Sequence, residues 1–71
     1  MTLHEEFIKQ ADNMPNYTLL VTATRLPSGA LETQVNSQEL EEKVKYIKEK
    51  YDENFALKAN PNVQIVGYIL L

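Results

Sequence analysis

The nine residues Val63-Gln64-Ile65-Val66-Gly67-Tyr68-Ile69-Leu70-Leu71 read as a β-strand that is apolar on both faces. Val63, Ile65, Gly67, Ile69 and Leu71 form one face, and Gln64, Val66, Tyr68 and Leu70 form the other. A strand of this kind needs cover on both sides. That demand is severe for a chain of 71 residues, because a domain this small buries only about 60% of the surface its unfolded chain exposes. The chain's own helices are expected to cover one face. A second subunit or another protein is expected to cover the other, with Val66, Tyr68, Leu70 and Leu71 as the interface. The expectation is therefore a homo-oligomer.

Composition removes the other ways of stabilising a small domain. Cysteine is absent and His4 is the only histidine, so disulfides, thiolate metal sites and His-rich metal sites are excluded. Oligomerisation remains open. The net charge is −3, from seven Lys+Arg against ten Asp+Glu, with Arg25 the single arginine. Nucleic-acid binders usually carry a basic face, so nucleic acid is an unfavoured partner. No apolar run approaches the roughly 20 residues that cross a bilayer, and Met1-Thr2-Leu3-His4-Glu5-Glu6 lacks the basic start of a signal peptide. A cytoplasmic location and no membrane partner are expected. Asn16-Tyr17-Thr18 has the form of a glycosylation acceptor, which carries no weight without a leader.

The rest of the chain divides into short elements. Thr2 and Glu5 have capping-box spacing, and Leu3, Phe7, Ile8 and Ala11 form a helical stripe that Pro15 ends. Tyr17 to Arg25 and Ala30 to Asn36 read as strands around a Leu26-Pro27-Ser28-Gly29 turn. Leu31, Thr33 and Val35 are expected to face the core, with Glu32, Gln34 and Asn36 turned away. A second helix is expected from Asn36 or Ser37, with Asn36 and Glu39 at capping-box spacing, to Asp52–Asn54. Its stripe is Leu40, Val44, Ile47 and Tyr51, and Asn54 is the left-handed cap. Glu39–Lys43 and Glu41–Lys45 have the spacing of i,i+4 ion pairs. Phe55-Ala56-Leu57 fits a short strand or a last helical turn, and Asn60-Pro61-Asn62 a turn.

The expected fold is one α+β domain spanning residues 1–71, in the order α-β-β-α-β. Its three-stranded, mainly antiparallel sheet has the order 2-1-3, with helices packed on one face.

No catalytic set is legible. His4 lacks an orienting partner nearby in sequence and reads as an exposed helix-start residue. The acidic residues between Glu39 and Glu53 alternate with lysines, as on a solvated helix face. Gly29 and Gly67 are too far apart for a phosphate loop, and Gly67 marks a bulge or a close backbone approach. Arg25, Gln34 and Tyr46, together with threonine hydroxyls, are candidates for contact with a ligand or partner.

The stretches Lys50-Tyr51-Asp52-Glu53-Asn54-Phe55-Ala56-Leu57-Lys58 and Asn60-Pro61-Asn62-Val63-Gln64-Ile65-Val66 resemble the C-terminal part of short accessory proteins of bacteriophages and prophages. The resemblance implies a protein that acts on host systems, defence systems included, by binding. The expectation is a non-catalytic oligomer without a cofactor that inhibits or recruits a partner protein. The alternatives are a binder or sponge of a small nucleotide-like ligand between subunits and, less favoured, a DNA-associated regulator.

Overall fold

The structure is a computed structural model that describes all residues, Met1–Leu71. Helix α1 spans Leu3–Asn13 and strand β1 Leu20–Arg25. Strand β2 spans Leu31–Asn36, helix α2 Leu40–Lys50, strand β3 Ala56–Leu57 and strand β4 Asn60–Leu70. The four strands form one antiparallel sheet in the order β2-β1-β4-β3. The predicted α+β class, the hairpin and the place of the last strand beside the first therefore hold. The sheet has four strands instead of three, because Ala56–Leu57 is extended and pairs with the start of β4.

The local signals for α1 and the hairpin work as read. Thr2 Oγ1 accepts the Glu5 amide at 3.1 Å, and Glu5 Oε1 reaches back to the Thr2 amide, closing the capping box. These bonds hold the Glu5 carboxyl below its usual pKa. At the hairpin, Gly29 takes the left-handed conformation, φ 89°. Its amide donates to the Leu26 carbonyl at 2.9 Å.

The start of α2 departs from expectation. β2 runs to Asn36, so Ser37-Gln38-Glu39 must turn the chain, and the helix begins at Leu40. Glu39 occupies the cap with φ 54° and makes no side-chain capping bond. It thus lies outside the helix, and no Glu39–Lys43 or Glu41–Lys45 ion pair closes. The ion pair that forms ties α2 to α1, Lys48 to Asp12.

The helix also ends early, with Tyr51 extended and bridged to Leu57. The left-handed residue after it is Phe55, φ 60°, and not Asn54. The Asp52 carboxylate accepts the Asn54 and Ala56 amides at 2.8 and 3.1 Å and holds this turn. The next reversal is Lys58-Ala59, so Asn60-Pro61-Asn62 is strand and not turn. Proline is tolerated at the start of a strand, where its missing N–H costs no ladder bond.

Both helices lie on one side of the sheet. The core between them joins Phe7 and Ala11 of α1, Leu40, Val44 and Ile47 of α2, and Leu20, Ile65 and Leu70 of the sheet, with Phe55 beneath. Phe55 is the hub of an aromatic cluster. Its ring meets His4, Phe7, Tyr51 and Tyr68 at centroid distances of 5.3, 5.6, 6.0 and 6.4 Å.

The α2 stripe gives a direct test of this packing. Ile47 is 6% exposed, whereas Glu49 is on the solvent side. Ile47→Asp is expected to unfold the domain, because an unpaired buried carboxylate costs several kcal/mol. Glu49→Ala is expected to change stability by less than about 0.5 kcal/mol. Circular dichroism melts of the two variants check it, and equal melting temperatures would contradict the helix register.

Candidate functional site

Strand β4 decides which surfaces are free. Ala23 pairs with Gly67 and Thr24 with Ile65, so Val66 is an extra residue opposite β1. Such a bulge shifts the side-chain alternation by one. Ile65, Tyr68 and Leu70 therefore all face the helices, although Ile65 and Tyr68 are three residues apart. Gly67 marks this bulge, and no other part of the chain packs over it within 4 Å.

The predicted interface Val66, Tyr68, Leu70 and Leu71 is accordingly split. Leu70 is 2% exposed and belongs to the monomer core. Tyr68 packs its ring edge-on against Phe7 at 5.1 Å and donates its hydroxyl to Gln10 Oε1 at 3.2 Å. Only Val66 and Leu71 remain on the outside, where Ile69 joins them.

The hairpin is turned over as well. Leu20 and Thr22 face the core, while Leu31 and Val35 are 66% and 67% exposed. The pairing explains this. Leu20 lies beside Leu70 and Val21 beside Ile69, so once Leu70 is inside, Val21 and its neighbour Val35 must be outside.

The outcome is an apolar surface on the sheet face opposite the helices. Val35, Val21 and Ile69 form a row across three strands. Leu31 and Leu71 extend the patch at its ends, and no element of the chain covers it. The patch has one charged neighbour, Arg25, whose guanidinium is engaged by the Gln64 side-chain carbonyl.

A second feature lies on the helix side. α2 does not reach over β2, which leaves a cleft of about 370 Å³ between the helix and the hairpin. Thr22, Thr24, Gln34, Asn36, Lys43 and Tyr46 are among its lining residues. Gln34 and Tyr46 are thus brought together as the sequence reading grouped them, along with two threonine hydroxyls. Arg25 is not: it sits by the hairpin turn, in a separate hollow with Pro61 and Gln64. Tyr51 also lines the cleft, edge-on to Tyr46 at 6.4 Å. Burial, and to a lesser degree Tyr46 beside it, raises the Tyr51 phenol pKa, so its hydroxyl remains a hydrogen-bond donor at neutral pH. The Gln34 amide donates to Glu32 at 3.1 Å.

Comparison with protein-family models, with curated proteins and with solved structures finds no match to this chain. The site must be read from its own chemistry.

His4 is less exposed than expected. Its ring stands edge-on to Phe55 at 5.3 Å, and its buried Nε2 has no hydrogen-bond partner. It lines none of the hollows described here. No three His, Asp or Glu side chains come close enough together to hold a metal ion. No helix is long and apolar enough to cross a membrane.

Sequence reasoning missed Leu31, Val35 and Ile69 as exposed surface. The signal lay in Gly67: a glycine inside an otherwise apolar strand marks the place where the alternation changes phase.

Proposed function

We propose that the protein is a non-catalytic, oligomeric binding module that inhibits or recruits a partner protein. The observation that carries this reading is the uncovered apolar sheet face, with its row Val35–Val21–Ile69 and the flanking Leu31 and Leu71. Contiguous exposed apolar surface on a small protein marks an interaction site more often than it marks anything else. The C-terminal resemblance to phage accessory proteins makes host machinery the partner to test first.

At a concentration of about 50 µM, where mass action favours a real assembly, sedimentation is expected to give at least twice the 8.2 kDa chain mass. A single-chain mass at that concentration would overturn the oligomeric part of the reading.

A second reading, a binder of a small nucleotide-like ligand, is favoured by the cleft beside α2. The cleft presents Thr22, Thr24, Asn36 and Tyr46 without side-chain hydrogen bonds between them, and both Lys43 and Glu42 line it. A binder that favours the folded state raises the melting temperature. A melt shifted by nucleoside mono- or diphosphates, and lost in Tyr46→Ala, would move the conclusion to this reading.

A further inference from the structure

The open edge of the sheet names the first contact between copies. The geometry points to β2 pairing antiparallel with β2 of a second copy, with Thr33 opposite Thr33 across a two-fold axis. This rests on the oligomeric reading above and specifies its interface.

The backbone of β2 is divided between its two sides. The Leu26 amide donates to the Ala30 carbonyl at 2.8 Å. Antiparallel pairs alternate between bonded and non-bonded, so Glu32, Gln34 and Asn36 bond to Thr24, Thr22 and Leu20. The other side of β1 agrees: Leu19 and Leu71 exchange bonds at 3.2 and 2.9 Å, which gives the odd-numbered residues of β1 to β4. The amides and carbonyls of Leu31, Thr33 and Val35 therefore point away from the sheet.

Glu32 is the only charge on this edge. Natural sheets blunt their edges with charges, above all lysine, and with proline, bulges or very short strands. Leu31-Glu32-Thr33-Gln34-Val35-Asn36 has no lysine, proline or bulge and is six residues long. The opposite edge of the sheet has nearly all of them. β3 is two residues long, Pro61 stands near the start of β4, and Val66 bulges. The Gln10 side chain also caps the Leu70 carbonyl at 2.6 Å. One edge is protected and the other is left open.

A second copy fits the open edge in one register. With Thr33 on the axis, Leu31 faces Val35 of the second copy on the apolar side, and Glu32 faces Gln34 on the polar side. Both matches occur twice by symmetry. A shift by one residue would set the apolar face against the polar one. A shift toward the hairpin turn would set Glu32 against Glu32, and like charges directly opposite are destabilising. A shift the other way would place Leu31 against Ser37, beyond the end of β2. The favoured pairing makes one eight-stranded sheet with all helices on one side and the apolar patches of both copies joined on the other. It also brings Glu32 of the second copy beside Gln34 at the mouth of the cleft.

Two variants test the pairing. Thr33→Pro removes an amide that serves only the outer edge, and proline is accepted on edge strands. The expected result is a single-chain mass at about 50 µM, with a cooperative melt that, unlike the parent's, does not move with protein concentration. Thr33→Cys places the only thiol of the chain on the axis. Bonded antiparallel residues are about 5.5 Å apart at Cα, within disulfide reach. Mild oxidation should link Thr33→Cys into dimers at least about tenfold faster than Glu53→Cys, owing to the high effective concentration of the paired thiols. A folded Thr33→Pro that keeps the parent's two-copy mass would overturn the edge pairing and leave the oligomeric reading standing. A parent protein that sediments as one chain would overturn both. If Thr33→Pro does not fold, the linking rates decide, and equal rates for the two cysteine variants would overturn the pairing. A mass that grows with concentration past two copies would also overturn it, because a two-fold contact closes.

Discussion

Residues 1–68 alone are expected not to fold. Loss of a chain end is commonly harmless, but here the end is built into the sheet. Leu70 is 2% exposed and packs with Leu20 and Phe7 in the core. Removing a buried leucine side chain costs about 2–5 kcal/mol. The Leu71 carbonyl accepts the Thr18 and Leu19 amides at 2.6 and 3.2 Å, and its amide donates to Leu19 at 2.9 Å. The Leu70 carbonyl accepts from Gln10 at 2.6 Å. Each hydrogen bond contributes about 0.5–1.5 kcal/mol net. The whole stability of a chain this short is roughly 4–10 kcal/mol, so the truncation removes most of the margin. Circular dichroism and a thermal melt of residues 1–68 check it. A melting temperature within a few degrees of the full chain would contradict the packing described for Leu70. The side-chain part of the loss falls on Leu70, since Ile69 and Leu71 are largely exposed, while Leu71 contributes its backbone hydrogen bonds.

Phe55→Ala is expected to cost about 3–5 kcal/mol, the range for emptying a buried aromatic site. Phe55 is 2% exposed and joins α1, the end of α2 and β4 through His4, Phe7, Tyr51 and Tyr68. Its backbone is in the left-handed region at φ 60°, which costs an L-residue about 1–2 kcal/mol. Alanine keeps that cost and loses the ring. Glycine loses the ring and the cost together. Phe55→Gly should therefore be at least as stable as Phe55→Ala, the reverse of the usual order inside regular structure. Urea unfolding of the three proteins measures both differences. A Phe55→Gly clearly less stable than Phe55→Ala would show that backbone freedom in the unfolded chain outweighs the strain at this turn.

The site was legible only in part. Gln34, Tyr46 and the threonines were identified from residue type, and they meet in one cleft because β2 and α2 flank it. Arg25 was grouped with them on type alone, yet it lies at the hairpin turn with Gln64. Residue type says what a side chain can bind, while its place on one side or the other of a strand says whether it can join the others. At Arg25 the alternation within β1 already gives that side, opposite to Thr22 and Thr24; only its partner Gln64 comes from a long-range pairing. The ion pair Lys48–Asp12 is not legible locally, because it joins two helices, whereas the expected Glu39–Lys43 pair depended on a helix that starts before Leu40.

What the sequence by itself determined is set within a few neighbouring residues, though not every local signal held: the Asn54 cap and the Asn60-Pro61-Asn62 turn did not. The Thr2–Glu5 capping box, the stripes of α1 and α2, the Gly29 turn and the presence of an apolar last strand all follow from spacing and from steric preference. Tertiary structure alone decided which face of each strand is inside. Period-two alternation supplies two faces and distinguishes them only when one is polar. β4 is apolar on both, so the choice fell to packing against the helices. The extra residue Val66 then inverted the phase for half of the strand. That choice passed through the pairings Leu20–Leu70 and Val21–Ile69 to the hairpin and left Leu31 and Val35 facing solvent. Packing also placed a phenylalanine where local preference favours asparagine or glycine, because the burial of its ring outweighs the strain of its backbone.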